Sequence, residues 1–201
     1  YSPMINIVGD HATYHLKYNA PLTSDLDTLA KSSSDWVGRS KTVEDICDLG
    51  NEAWHMAHKE PGQISTLIVP ADCAWGNFKG KIPSPLKKSV ATKIDDSLVP
   101  ESIKILKKEN SVLFIGGKFL TEECIKLAGN ISSATGCRIV TDTFVSRIRR
   151  GAGLPMVEQV PYFSEMAEEF LKNTSGVIFI GSKPPVSFFA YPNKKSYLLP
   201  D

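Results

Sequence analysis

The feature that most constrains the fold is a series of short apolar runs, each closed by a proline or a glycine. Such runs occupy residues 65–69, 112–115 and 177–180. Four or five residues are too few for a buried helix, and runs bounded by turn residues are typical of strands covered on both faces. The sequence therefore predicts buried strands that lie side by side in parallel.

Segments with helical periodicity lie between these runs. Residues 42–57 place apolar or small side chains on one helical face, residues 121–135 do the same, and Ser164 is expected to cap a further helix. Buried strands that alternate with amphipathic helices indicate an α/β fold whose parallel sheets are covered on both sides. We therefore expect two three-layer α/β units, of which the second is Rossmann-like.

Domain boundaries are suggested by a change in composition. The chain has 201 residues, 42% of them hydrophobic and 22% charged, which is enough for one or two globular domains. Residues 77–98 carry Pro83, Pro85, five lysines and few large apolar side chains, as an exposed linker does. We therefore expect domains at 1–76 and 99–201, joined by this linker.

Charge and cysteine usage limit the classes of partner. The formal net charge of +1 indicates no nucleic-acid partner, and no apolar run approaches the length that spans a bilayer. The four cysteines form no Cys-x-x-Cys pair, so we expect free thiols in a reducing cytoplasm rather than a disulfide or a metal site.

The first candidate site follows the first strand. Ligands of open parallel sheets bind beyond the carboxyl ends of the strands, and here that position holds Asp10, His11 and His15. Histidines at positions i and i+4 can share a metal ion, but no third ligand accompanies them in sequence. We expect a polar loop that lines a substrate pocket.

Two further loops follow buried strands of the second unit. Gly116, Gly117 and Lys118 precede a helix whose N–H groups could hold a phosphate, and Gly181 and Lys183 follow the last strand. These five residues are the nucleotide-binding candidates. Because neither a dinucleotide nor a P-loop fingerprint is present, tight turns that use the freedom of glycine are the alternative.

Several segments resemble one family of enzymes. Residues 3–15 read Pro-Met-Ile-Asn-Ile-Val-Gly-Asp-His-Ala-Thr-Tyr-His, residues 19–25 read Asn-Ala-Pro-Leu-Thr-Ser-Asp, and residues 181–192 read Gly-Ser-Lys-Pro-Pro-Val-Ser-Phe-Phe-Ala-Tyr-Pro. Together with residues 62–72, they resemble thiamine-diphosphate enzymes of the acetolactate-synthase type. The resemblance places 1–76 at the end of the pyrimidine-binding domain and 99–201 in the central, NAD/FAD-binding-like domain.

The resemblance implies an enzyme that uses thiamine diphosphate and Mg²⁺ on a 2-oxo acid, by decarboxylation or carboligation, as a homodimer or homotetramer. It implies FAD only in some members, and Lys183-Pro-Pro185 replaces their usual Arg-Phe-Asp run. It also implies that the activating glutamate and the Gly-Asp-Gly and Asn-Asn metal motifs lie outside these residues. We therefore expect an internal piece with no catalytic residue or metal ligand of its own, inactive alone.

Within the first segment, Asp10 and His11 fall near a histidine pair that faces substrate in related decarboxylases. The candidates that the resemblance points toward substrate or cofactor are Asp10, His11, His15, Tyr18, Asn19, Pro21 and Leu22. A nucleotide-binding module for FAD, NAD or ADP and a non-catalytic scaffold remain as alternative functions.

Overall fold

The computed structural model describes residues 2–86 and 93–200 and divides the chain into two compact units. Unit 1 comprises Tyr1–Thr92 and unit 2 comprises Lys93–Asp201. The division falls inside the segment 77–98 that was expected to be a linker. Residues 87–92 of that segment lie outside the described part of the chain.

Unit 1 is built on a three-stranded parallel sheet in the order β1-β3-β2. Its elements in chain order are β1 (Met4–Asp10), α1 (Leu26–Lys31), β2 (Trp36–Arg39), α2 (Ile46–Ala57), β3 (Ile64–Pro70) and α3 (Ala71–Trp75). The central strand β3 is the most buried, as its apolar run predicts. Helix α2 buries Ala53 and Ala57, whose small side chains let a helix approach closely.

Local hydrogen bonds explain where the helices of unit 1 begin. The Asp25 carboxylate accepts the Thr28 N–H at 3.1 Å and so caps α1. Before α2, the Asp45 carboxylate accepts the Ser40 hydroxyl at 2.6 Å and the Lys41 N–H at 2.9 Å. These bonds fold residues 42–45 into a turn, so α2 starts at Ile46.

Strand β1 lies at an edge of its sheet and exposes apolar side chains. Ile7 is 74% exposed and Ile5 39% exposed. An edge strand with an apolar face is a surface that proteins usually cover.

Unit 2 contains a four-stranded parallel sheet in the order β6-β5-β4-β7. Its elements are α4 (Leu98–Leu106), β4 (Val112–Ile115), α5 (Glu122–Thr135), β5 (Arg138–Thr141), β6 (Glu158–Gln159), α6 (Ser164–Leu171) and β7 (Val177–Ile180). Counted along unit 2, the strand order is 3-2-1-4, which is the Rossmann-like arrangement.

The core of unit 2 lies on both faces of this sheet. Leu113 and Ile115 of β4 pack with Ile125 of α5, whereas Val112 and Phe114 face a second cluster that includes Ala167 and Leu171 of α6. Alternate residues of one strand thus serve two cores, which is why the strands read as continuous apolar runs. The expected α/β class with parallel sheets is confirmed. Among the described residues, no helix combines the length and the apolar character needed to cross a bilayer.

Ile125 and Leu127 of α5 provide a matched test of this core. Ile125 is fully buried, whereas Leu127 on the same helix is 55% exposed. Ile125→Ala is expected to lower the free energy of unfolding of unit 2 by about 2–5 kcal/mol, because it leaves a cavity. Leu127→Ala is expected to change it by less than about 0.5 kcal/mol. Urea denaturation followed by circular dichroism measures both, and equal losses would contradict the packing.

Candidate functional site

The candidate site of unit 1 lies at the carboxyl edge of its sheet. Strand β1 ends at Asp10, β2 ends at Arg39, and β3 ends at Pro70, two residues before Asp72 at the start of α3. Because the three strands are parallel, these charged residues come to the same edge.

Arg39 holds two carboxylates at once. Its Nη1 donates to Asp10 Oδ2 at 2.5 Å, and its Nε and Nη2 donate to Asp27 Oδ2 at 2.9 and 2.6 Å. The side chain of Asp10 is only 4% exposed and that of Arg39 24% exposed. The guanidinium therefore compensates a buried negative charge, and it joins the ends of β1 and β2 to α1.

Asp10 is also tied to the residue that follows it. Its Oδ1 accepts the N–H of His11 at 2.7 Å, while its other oxygen faces Arg39. Both carboxylate oxygens are thus engaged within the protein. Asp10 therefore ties the first residue of the loop, His11, to the end of β2.

A second carboxylate fixes the middle of the loop. Asp72 accepts the N–H of Thr13 at 2.9 Å and the Thr13 hydroxyl at 2.5 Å. Hydrogen bonds from the Thr13 hydroxyl and N–H lower the pKa of Asp72 below its ordinary value, since they favour the charged form. The loop after β1 is therefore attached to the helix that follows β3.

The loop then folds into a short 3₁₀ turn that brings aromatic rings together. The N–H of His15 donates to the carbonyl of Ala12 at 2.8 Å. The rings of His11 and His15 lie 5.5 Å apart, and those of His15 and Tyr18 lie 5.8 Å apart. Asn19 closes the turn in the left-handed region, with φ of 47°.

The next turn places a strained leucine beside the loop. The N–H of Thr23 donates to the carbonyl of Ala20 at 3.0 Å, and Pro21 and Leu22 occupy the two central positions. Leu22 has φ of 71°, at a position where a turn with a leading proline favours glycine or asparagine. Left-handed backbone at a bulky residue is strained, and such strain concentrates at functional sites.

These loops line an open pocket of about 620 Å³. Its side chains include His11, Tyr14, His15, Leu22, Leu26 and Trp75. Leu22 is 93% exposed, so it forms the rim. A largely apolar cavity with a few polar groups is suited to a small organic ligand.

The structure brings together part of the set of candidates that the sequence pointed to. Asp10, His11, His15 and Leu22 line the pocket, whereas Tyr18 packs beside His15 without lining it. Asn19 and Pro21 shape turns and do not line the pocket either.

Several residues at this site were not anticipated from the sequence, among them Leu26, Arg39, Asp72 and Trp75. Arg39 is the last residue of a short strand, which was a usable signal, but its partner Asp10 is 29 residues away in sequence. The two histidines do not gain further ligands: among residues 2–86 and 93–200, no three His, Cys, Asp or Glu side chains are grouped as a metal site requires.

The glycine loops of unit 2 pack against each other. The N–H of Gly116 donates to the carbonyl of Ile180 at 2.9 Å, and a Cβ atom at Gly116 would lie 2.9 Å from the carbonyl oxygen of Gly181. Gly181 has φ of 68°, and a Cβ there would lie 2.4 Å from the Phe119 ring. The glycines thus allow two loops to touch at the point where the strand order reverses.

A hydrogen bond also spans this point. The Ser182 hydroxyl donates to Asp142 Oδ2 at 2.5 Å, beside Gly116. Burial raises the pKa of the Asp142 carboxyl, more than the bond from Ser182 lowers it. The loops after β5 and β7 therefore meet beside Gly116, and a carboxyl group at that position is unfavourable for the pyrophosphate of FAD. Lys118 lies over the Phe119 ring, 5.4 Å from its centre.

Solved structures that are similar in fold to this chain include thiamine-diphosphate-dependent enzymes. A 4-hydroxybenzoylformate decarboxylase of Rhodococcus jostii superposes with a TM-score of 0.76 at 17% identity, over 98% of this chain and 38% of that one. A benzoylformate decarboxylase of Polynucleobacter necessarius gives 0.73 at 18% identity, over 99% and 37%. The fold of this chain is thus that of one section of such enzymes.

A relative similar in sequence bears a provisional name, acetolactate synthase large subunit IlvX, and comes from Mycobacterium tuberculosis. It is 38% identical over 198 residues, which are 98% of this chain and 38% of that protein. No protein-family model matches the chain. The acetolactate-synthase-like resemblance found in the sequence is confirmed, and the chain spans well under half the length of the relatives that it matches.

Removing Arg39 tests its role at the sheet edge. Arg39→Ala leaves the buried Asp10 carboxylate without its cation and is expected to lower the free energy of unfolding by about 1–3 kcal/mol. Asp27→Asn, which alters the exposed partner, is the control and is expected to cost less than about 1 kcal/mol. Adding Asp10→Asn to Arg39→Ala is expected to restore part of the loss in denaturant titrations. No recovery in the double variant would contradict the charge argument.

Acidification tests the attachment of Thr13 to Asp72. Because the pKa of Asp72 is lowered in the folded chain, its contribution is complete above the ordinary value of 3.8 and is lost as pH falls through the lowered value. In an NMR titration, the Thr13 amide shift is expected to move with a midpoint below 3.8. Asp72→Asn is expected to abolish this step. A midpoint at or above 3.8 would show that the bond is not formed.

Proposed function

We propose that this chain is part of a thiamine-diphosphate-dependent enzyme that acts on 2-oxo acids by decarboxylation or carboligation. The observation that supports it most is 38% identity over 198 residues to a protein provisionally named as an acetolactate synthase large subunit. The chain spans 38% of that protein. We therefore propose that activity needs the further parts of such an enzyme and that this chain alone is inactive.

The role proposed for unit 1 is to form one wall of the reaction site. When bound, thiamine diphosphate supplies the carbon nucleophile and electron sink for 2-oxo acid chemistry. The pocket at the carboxyl edge suits one face of a flat heterocycle or a small substrate, since Leu22, Leu26 and Trp75 give it an apolar lining. The Thr13–Asp72 and Asp10–Arg39 contacts hold that wall in place.

His11 is the residue to which we assign proton transfer. Imidazole exchanges protons near neutral pH and is the commonest general acid or base. His11 lines the pocket, and Asp10 holds its backbone N–H while remaining paired with Arg39. His15, whose ring lies 5.5 Å away, supports the His11 ring from the side.

The carboxylates at this edge do not fit a magnesium site. Asp10 faces Arg39 and Asp72 faces Thr13, so their oxygens are already hydrogen-bonded within the protein. We propose that Mg²⁺ and the diphosphate are held by a part of the enzyme other than this edge, and no step here depends on the metal.

The assembly and location that we propose are a homodimer or homotetramer in the cytoplasm. The exposed apolar residues of β1, Ile5 and Ile7, support a surface that another part of the enzyme or a second subunit covers. All four cysteines are free thiols, which suits a reducing compartment.

The test uses the complete gene product and a panel of 2-oxo acids that includes pyruvate, 2-oxobutyrate and benzoylformate. Carbon dioxide release and coupled products are measured with and without added thiamine diphosphate and Mg²⁺. We expect turnover of at least one acid that depends on the cofactor. Absence of cofactor-dependent turnover across the panel would refute the proposal.

His11→Gln tests the assigned proton transfer in that complete enzyme. We expect kcat to fall by about 10²–10⁴-fold and one limb of the pH–rate profile to disappear, since a positioned acid or base is removed. His55→Gln, on helix α2 away from the pocket lining, is the matched control and should retain wild-type kcat. An unchanged pH profile in His11→Gln would assign His11 a positional role only.

A further inference from the structure

A second edge, at the carboxyl ends of the unit 2 strands, carries a cluster of aromatic rings. Phe144 follows β5, Tyr162 and Phe163 precede α6, and three more follow β7. These three are Phe188, Phe189 and Tyr191. Ring centres of neighbours in the cluster lie between 4.6 and 6.4 Å apart, so the six rings form one connected network. We call it the aromatic edge.

The aromatic edge is unusually exposed to solvent for a group of apolar side chains. Its members are between 46% and 65% exposed, although edge-to-face packing holds them together. At about 200 Å² per residue, they leave on the order of 600–700 Å² of mainly aromatic surface open, which reaches the upper range of the largest patches on typical monomers. Such a surface indicates a ligand or a partner.

Five of the rings line a half-open cavity of about 170 Å³. Phe163, Phe188, Phe189 and Tyr191 line it together with Ser164, Ser187, Tyr162 and Glu165. An apolar protein cavity of about 150 Å³ is known to accept benzene. The volume therefore leaves room for a single six-membered aromatic ring beside the rings of the wall.

The walls of the cavity are held by polar contacts behind the rings. The Ser187 hydroxyl donates to the carbonyl of Phe189 at 2.6 Å, and the Ser187 N–H donates to the carbonyl of Ser196 at 2.7 Å. Val186 also forms a bridge with Tyr197. A cavity whose walls are fixed before binding loses little affinity to ordering.

The charged groups at the cavity influence which aromatic ligands it can bind. Glu165 lines the cavity, and Lys194 lies 3.3 Å from its carboxylate. The Glu165 carboxylate, whose side chain is 57% exposed and paired with Lys194, can accept a hydrogen bond from a hydroxyl group on a ring in the cavity. We propose that this cavity, which only part of the aromatic edge lines, binds the uncharged or phenolic aryl group of a small molecule.

This cavity shares no lining residue with the pocket of unit 1. The proposal that it binds an aryl group does not depend on the proposed thiamine chemistry. The aryl group can belong to a 2-oxo acid or to another small molecule, and the shared chemistry is the ring. The two sources are separated by the choice of probe.

The experiment is an NMR titration of the ¹⁵N-labelled 201-residue chain. The probes are 4-methylphenol, benzoylformate, cyclohexanol and pyruvate. We expect saturable shifts of the Ser187 and Phe188 amides with at least one aryl probe, with a dissociation constant on the order of 1 mM for so small a ligand. Tighter binding of benzoylformate identifies a 2-oxo acid as the source of the ring, and tighter binding of 4-methylphenol identifies a different molecule.

Variants separate the cavity from the surface around it. Phe188→Ala and Tyr191→Ala each remove part of the cavity wall and are expected to weaken the binding of the aryl probe at least tenfold. Phe144→Ala is the matched control: its ring contacts Tyr162 and Phe188 but does not line the cavity, so affinity should change less than threefold. Unchanged amide shifts in the rest of the spectrum verify that each variant is folded.

Three outcomes would overturn the proposal. The first is the absence of saturable shifts with both aryl probes, and the second is an equal response to cyclohexanol or pyruvate. The third is self-association, measured by sedimentation velocity, that Phe188→Ala abolishes while no probe binds, because the aromatic edge would then be an interface between copies of the chain. None of these results bears on thiamine-dependent turnover, which is measured separately.

Discussion

The contact of Arg39 with Asp10 is the interaction on which the rest of the unit 1 site depends. In the sheet, β3 lies between the strands that carry these two residues. The guanidinium therefore reaches across the end of the central strand, over two strand spacings or roughly 9.6 Å, to neutralise a buried carboxylate. Its remaining hydrogen bonds go to Asp27 of α1. One side chain thus links the last residue of β1, the last residue of β2 and helix α1.

The two units use the carboxyl edges of their sheets in different ways. In unit 1, charged pairs surround an open pocket and leave His11 on its wall. In unit 2, the loops that contain Gly116 and Gly181 lie close together where the strand order reverses, which is the usual ligand position of a Rossmann-like sheet. Exposed rings farther along the same edge supply the cavity instead. A shared fold class therefore does not dictate a shared ligand position.

Much of the fold could be predicted because strands that are buried on both faces of a sheet appear in the sequence as continuous apolar runs. The apolar run at 112–115 contributes side chains to two cores, and so does the run at 177–180. Short elements without such a mark were missed: α3 (Ala71–Trp75) has only five residues and β6 only two. Ser164 was expected to cap α6, yet it is the first helical residue and Phe163 holds the cap position.

The sequence predicted where the candidate site lies, but not which residues contact each other there. Asp10, His11 and His15 follow a strand, and that position alone indicates a pocket-lining loop. The partners that give these residues their roles come from elsewhere in the chain: Arg39 is 29 residues from Asp10, and Asp72 is 59 residues from Thr13. Leu22, at the rim, has a conformation that its side chain disfavours and an environment that is almost entirely solvent. Its backbone is set by a turn of its own, so the mouth of the pocket can diverge in sequence between relatives while the sheet beneath it stays the same.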